Sequence, residues 1–391
     1  MLDLHTGHRR RQLKGERVPT REGIADRGAI HEEAREGRDG RQETCVPIKV
    51  GNAEFALEQR LCRGLRSLRR GRDALDLAGA LIGGYRPPRM PEWGGLMSNV
   101  GKPGGLSMSI EIVPTGALVG AEIRGVDLSQ PIGDNVFATI ERAYNDHGVI
   151  FFRDQQISPV QQVEFTRRFG EIEVNIFSER WSVSGSPEIV IVSNVTEDGK
   201  PIGIKRAGEN WHSDMCYTAR PPRGTMLYAI EIPVLYGMPL GDTEFASAAA
   251  AYDRLPAALR ERIEGRKATF DFAGRKRSFP LTPMEIARNP PVQHPIVRTH
   301  PHTGRKCLYV MRDDCTAIEG FEQEEADCLI AALADHIVKP AHIYRHQWHP
   351  GDLLMWDNCT VQHRAIQDYD MPLRRLMHRT TMGGAVPCFG P

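Results

Sequence analysis

The stretch GDLLMWDNCTVQHRA, residues 351–365, decides how this chain is read. Its first half, DLLMWDN, is an apolar run of strand length that ends in a polar turn, and His363 follows that turn. Working outward, strand-like segments dominate the second half of the chain: GTMLYAIEIP (224–233), HPIVRTHP (294–301), KCLYVMR (306–312), the run opening at Ile343, and RRLMHRTTMGG (374–384). Helical patterns interrupt them at SAAAAYDRLPAALRERI (247–263) and EQEEADCLIAALADHIV (322–338).

Earlier in the chain, FATIERAYNDHGVIFFRDQ (137–155) reads as a helix running into a buried strand at GVIFF. SPVQQVEFTRRFG (158–170) reads as a helix with a serine N-cap, an early proline and a closing glycine, and PEIVIVSNV (187–195) as a strand. Helices early and in insertions, with many short strands late, predict an α+β chain on a sandwich of antiparallel strands, a jelly roll.

An apolar content of 40% and a charged content of 26% are those of a globular protein. The longest apolar candidate, ALDLAGALIGG (74–84), is too short to span a bilayer and carries an aspartate, and the N-terminus lacks an apolar signal core. Eight cysteines without a CxxC suggest neither a disulfide framework nor a zinc ribbon, so a cytoplasmic protein is expected, with no membrane partner.

Residues 1–107 carry 20 Lys and Arg against 14 Asp and Glu, which leaves 30 against 36 for the rest. That mild asymmetry is not the basic footprint of a nucleic-acid binder. With arginine clusters, Gly/Pro punctuation and little apolar periodicity, 1–107 is expected to be a basic disordered arm, and 108–391 the folded domain. Because MSIEIVPTGALVG from Met108 resembles a natural start, with Met97 a second candidate, the arm reads as upstream sequence from a misassigned start codon. Native peptides beginning before Met97 would overturn that.

Within ENWHSDMCY (209–217), His212 and Asp214 form an H-x-D pair. With 14 histidines in the chain such a pair arises by chance about once, and His31 with Glu33 is a similar pair without functional weight. If Trp211 lies at a strand edge, His212 and Asp214 project to one face and both reach one ion. His363 supplies a third ligand, completing a two-histidine, one-carboxylate set of the kind that leaves positions open on a non-haem iron. Arg379, on the next strand-like segment, suits a dicarboxylic cosubstrate, whereas Arg374 and Arg375 read as solvated or turn-holding.

These residues, together with GALVGAEIRGVDLSQPI, PPRGTMLYAIEIP, GDTEFAS and HPIVRTHPHTGRKCLYV, resemble the taurine and chlorophenoxyacetate dioxygenases, which use Fe(II), 2-oxoglutarate and O2. The resemblance covers 108–391. It implies a double-stranded β-helix, iron ligands His212, Asp214 and His363, and Arg379 with Thr243 on the distal carboxylate of 2-oxoglutarate. An aspartate at 214 separates the chain from the halogenating relatives. Dimers or tetramers are common in the family, so a homo-oligomer is expected.

Asn175, Ser178 and Gly208 stand where taurine-specific members carry their taurine-binding histidine, tyrosine and asparagine, which disfavours taurine itself. A small organic anion of the sulfonate, sulfate ester or aryloxy acid class is expected, with Asn175, Arg206 and Asn210 as candidate contacts and Lys205 beside them. A metal-binding sensor and a zinc hydrolase are the competing readings, and both would bind metal without 2-oxoglutarate.

Overall fold

The computed structural model describes residues 109–274 and 280–390. The expectations for 1–107, the arm and its start codon, lie outside the described residues.

The core strands are β1 (Glu111–Pro114), β2 (Ala121–Arg124), β3 (Val149–Phe152), β4 (Ser182–Val183), β5 (Ser186–Ser193), β6 (Gly224–Glu231), β7 (Thr243–Ser247), β8 (Ile343–His346), β9 (Leu353–Asp357), β10 (Val361–Ala365) and β11 (Leu376–Met382). They form an eight-stranded sheet in the order β1-β2-β3-β9-β6-β11-β5-β4 and a three-stranded sheet in the order β8-β7-β10. All pairs are antiparallel except β2 with β3, so the large sheet is mixed.

β9 explains the opening stretch. Strand side chains alternate between faces, and both faces of this strand are covered. Leu354 and Trp356 join Leu227, Met377, Phe245 and Val361 in the layer between the two sheets. Leu353 and Met355 join Ile140, Tyr144, Phe165 and Phe169 on the opposite face. Those partners come from helix α1 (Asp134–His147), helix α2 (Pro159–Arg167) and the turn just after α2, so a continuous apolar run is what β9 requires.

The two helices begin and end as their sequences dictate. Ser158 caps α2, its hydroxyl accepting from Gln161 N while the Gln161 side chain accepts from Ser158 N. Gly148 closes α1 at φ +67°, and a Cβ there would lie 2.7 Å from the Thr360 hydroxyl. α1 is thereby held against the turn that precedes β10.

Residues 248–274 and 280–342 include a further set of short strands (Lys267–Phe270, Val292–Pro295 and Cys315–Ile318) and helix α3 (Gln323–Ile337). Leu329, Ile330 and Leu333 of α3 pack with Phe270, Tyr309 and Val310 in its own apolar cluster.

Candidate metal centre

His212 and His363 are joined by the backbone before their rings meet. His212 N donates to His363 O at 3.1 Å, and His363 N donates to His212 O at 2.9 Å. This is a single antiparallel bridge, and the residues around His212 form no strand. The expected alternation of His212 and Asp214 along a strand edge is therefore corrected. Asp214 opens a turn in which Met215 adopts φ 44°.

The polar turn after β9 holds that loop in place. Ser213 Oγ donates to Asn358 O at 2.8 Å, and Asp214 N donates to Asn358 Oδ1 at 3.3 Å. Trp356 Nε1 also donates to Asn358 Oδ1, at 3.1 Å, which fixes the amide. A side-chain frame does here what strand pairing was expected to do.

Ligand atoms of His212, Asp214 and His363 lie within 4.8 Å of one another, and all three residues are buried. Asp214 Oδ1 is 3.7 Å from His212 Nε2 and 3.9 Å from His363 Nε2. His212 Nδ1 meets the Asn210 carbonyl at 2.8 Å; this places the proton on Nδ1 and turns the Nε2 lone pair toward Asp214 and His363. Two imidazoles and one carboxylate on one side of a point are a donor set that fits a divalent first-row metal with positions to spare.

Burial alone pushes the Asp214 carboxyl upward, but the Arg379 guanidinium, then His363, His212 and the Thr225 hydroxyl, outweigh it and hold it well below the usual carboxylate range. Arg379 Nη2 lies 2.9 Å from Asp214 Oδ1, and Thr225 Oγ1 donates to Oδ2 at 2.7 Å. These partners favour the ionised form of Asp214.

A cavity of about 510 Å³ opens at this point, lined by Asn175, Arg206, Asn210, His212, Asp214 and Arg379 among others. Asn175 uses its Oδ1 on Phe177 N at 2.9 Å, and Arg206 is ion-paired with Glu209. Asn210 acts through its carbonyl on His212. Gly208 sits at φ +74° with its would-be Cβ 3.0 Å from the His212 ring, so a side chain there would press on that imidazole.

Thr243 is not among the residues lining the cavity, yet it shares a sheet face with His363. Phe245 is opposite His363 in the register of β7 and β10, and Thr243 is two residues from Phe245. Its Oγ1 accepts from Trp348 Nε1 at 3.0 Å.

Arg375 departs from expectation. Arg374 forms the exposed pair, at 2.7 and 3.0 Å from Glu231, but Arg375 is only 2% exposed. Its Nη2 donates to Gly241 O at 3.1 Å, two residues before Thr243, and its Nε has no partner. A buried cation with an unused donor is able to receive an anionic partner. The doubled arginine was the only sequence signal for it.

Two histidines joined by a backbone bridge, a buried carboxylate and the Arg379 guanidinium beside it suit a non-haem iron oxygenase that takes an anionic cosubstrate. Comparison with known proteins gives the family. The model of the taurine catabolism dioxygenase TauD, TfdA family matches residues 111–381, and the chain belongs to that family. It is 35% identical over 292 residues to an α-ketoglutarate-dependent 2,4-dichlorophenoxyacetate dioxygenase of Cupriavidus pinatubonensis, covering 71% of this chain and all of that protein. An α-ketoglutarate-dependent sulfate ester dioxygenase of Pseudomonas putida is 29% identical, over 72% of this chain and 92% of that protein. A taurine dioxygenase structure from Burkholderia xenovorans superposes with a TM-score of 0.61 at 31% identity, over 72% and 93% of the two chains. The chain is a 2-oxoglutarate-dependent non-haem iron dioxygenase that requires Fe(II), 2-oxoglutarate and O2.

Proposed function

We propose that His212, Asp214 and His363 hold the iron, and that the enzyme hydroxylates an organic anion carrying an apolar or aromatic body. The observation that carries the reading is the buried Asp214, facing two imidazoles and paired with Arg379, at the edge of a cavity that also receives Arg379. When bound, Fe(II) with 2-oxoglutarate and O2 supplies the oxidising power, and 2-oxoglutarate leaves as succinate and CO2.

For the distal carboxylate of 2-oxoglutarate we favour Thr243 with Arg375, in place of the Arg379 of the sequence reading. Arg379 touches the same Asp214 oxygen that faces both histidines, too close to the metal for a carboxylate at the far end of a chelating molecule. Arg375 is buried two residues' reach from Thr243 and retains an unused Nε. Arg379 then serves the anionic group of the substrate, and Phe177, Trp211 and Tyr217 along the cavity suit an aromatic body. The relatives named for 2,4-dichlorophenoxyacetate and sulfate esters support an anion of this kind.

The same reading takes the two facing sheets as a double-stranded β-helix and 108–391 as the catalytic domain. It also takes the protein as a cytoplasmic homo-oligomer. Among the described residues no helix is long and apolar enough to cross a membrane.

Anaerobic absorption spectra of the protein with Fe(II), before and after 2-oxoglutarate, test the proposal. A weak visible charge-transfer band is expected on adding 2-oxoglutarate, followed by succinate release with an aryloxy acid, sulfate ester or sulfonate. Bound iron without the band would overturn it.

A further inference from the structure

The two oxygens of Asp214 have different surroundings. Oδ1 faces His212 Nε2, His363 Nε2 and Arg379 Nη2. Oδ2 accepts from Thr225 Oγ1 at 2.7 Å. Thr225 is fully buried near the start of β6, between Trp356 of β9 and Thr381 of β11, so its Cα is held by the centre of the large sheet. Asp214 itself stands in a turn and has no strand to hold it.

A threonine hydroxyl has one proton to give. Arg379 Nη2 approaches Thr225 Oγ1 at 3.5 Å from the donor side, which leaves the hydroxyl proton to the carboxylate. One guanidinium therefore touches Oδ1 and directs the hydroxyl bonded to Oδ2, so the carboxylate plane is fixed from both ends.

We propose that Thr225 is a positioning residue for the metal centre, holding Asp214 Oδ2 off the ion so that the carboxylate ligates through Oδ1 alone. This rests on the metal-site reading above. Its functional consequence is an open coordination position: a carboxylate free to rotate could chelate through both oxygens and occupy a site that 2-oxoglutarate or O2 needs. Thr225→Val keeps the shape of the side chain but removes the hydroxyl that donates to Oδ2.

The experiment uses the full chain with Co(II) as a spectroscopic substitute for Fe(II), and compares wild type, Thr225→Val, Thr225→Ser and His363→Ala. For Thr225→Val, Co(II) binding is expected to be roughly ten- to hundred-fold weaker, with a shifted d–d spectrum reporting the altered carboxylate mode. Thr225→Ser, which keeps the hydroxyl, is expected to restore both affinity and spectrum. Apoprotein melting temperatures separate this from loss of packing, and Thr225→Ala stands in should the valine variant not fold. Wild-type affinity and an unchanged spectrum in Thr225→Val would overturn the inference, as would equal loss in the serine variant. Undiminished Co(II) binding by His363→Ala would instead overturn the metal-site reading.

Discussion

The indole Nε1 of Trp348 donates to the hydroxyl oxygen of Thr243 at 3.0 Å, 105 residues apart in sequence. Trp348 is completely buried, and its ring stands edge-to-face on His346 at 4.8 Å. Since the Thr243 oxygen accepts from the indole, its own proton is left to donate. Replacing Trp348 with Phe should leave the hydroxyl free to turn and raise the KM for 2-oxoglutarate with a smaller change in kcat. An unchanged KM in steady-state kinetics would remove Trp348 from the cosubstrate site.

The two buried-side arginines should separate by substrate. Arg375→Ala is expected to raise the KM for 2-oxoglutarate roughly ten- to hundred-fold, the loss of a charge-assisted bond of about 1.5–3 kcal/mol. Arg379→Ala should act mainly on the KM for the organic anion. The reverse pattern would return the distal carboxylate to Arg379.

Removal of the Asp214 carboxylate should cost stability as well as metal. The Arg379 side chain is 17% exposed and faces Asp214 at 2.9 Å, so Asp214→Ala leaves a largely buried cation unpaired. A loss of about 3–5 kcal/mol in urea unfolding of the apoprotein is expected, and Asp214→Ala with Arg379→Met should recover part of it.

Acid should weaken the fold below neutrality through histidines that burial holds neutral, His294 and His378 among them. Burial pushes His294 and His378 down to about 4. Both stay neutral in the native state while the unfolded chain takes up protons below about 6.5, so the native state is favoured above that value and loses this advantage as pH falls toward 4. His378→Asn should flatten the dependence of melting temperature on pH between those limits. A slope identical to wild type would exclude His378 as a contributor.

Phe245 should be a keystone of the sandwich. It is fully buried in the inter-sheet cluster, with its ring 5.7 Å from Trp356 and 6.1 Å from His363. Phe245→Ala is expected to cost about 3–5 kcal/mol by chemical denaturation and to loosen His363.

Sequence by itself determined the features that depend on neighbours along the chain. The helix at 159–167 with its serine cap, the run Leu353–Asp357 and the turn after it were legible because capping and apolar patterning are local. The family was legible too, from several motifs in order.

What only the tertiary structure decided are relationships between segments that meet by packing. Asp214 is held by a turn and by Asn358, 144 residues away, and not by strand alternation. Arg375 reads like its exposed neighbour Arg374 until the fold lays it against Gly241, 134 residues distant. Thr225 is one β-branched residue in an apolar strand, and its hydroxyl gains a role only because the Asp214 turn crosses over it. Burial and hydrogen-bond partners belong to the packed arrangement, and residue type alone does not encode them.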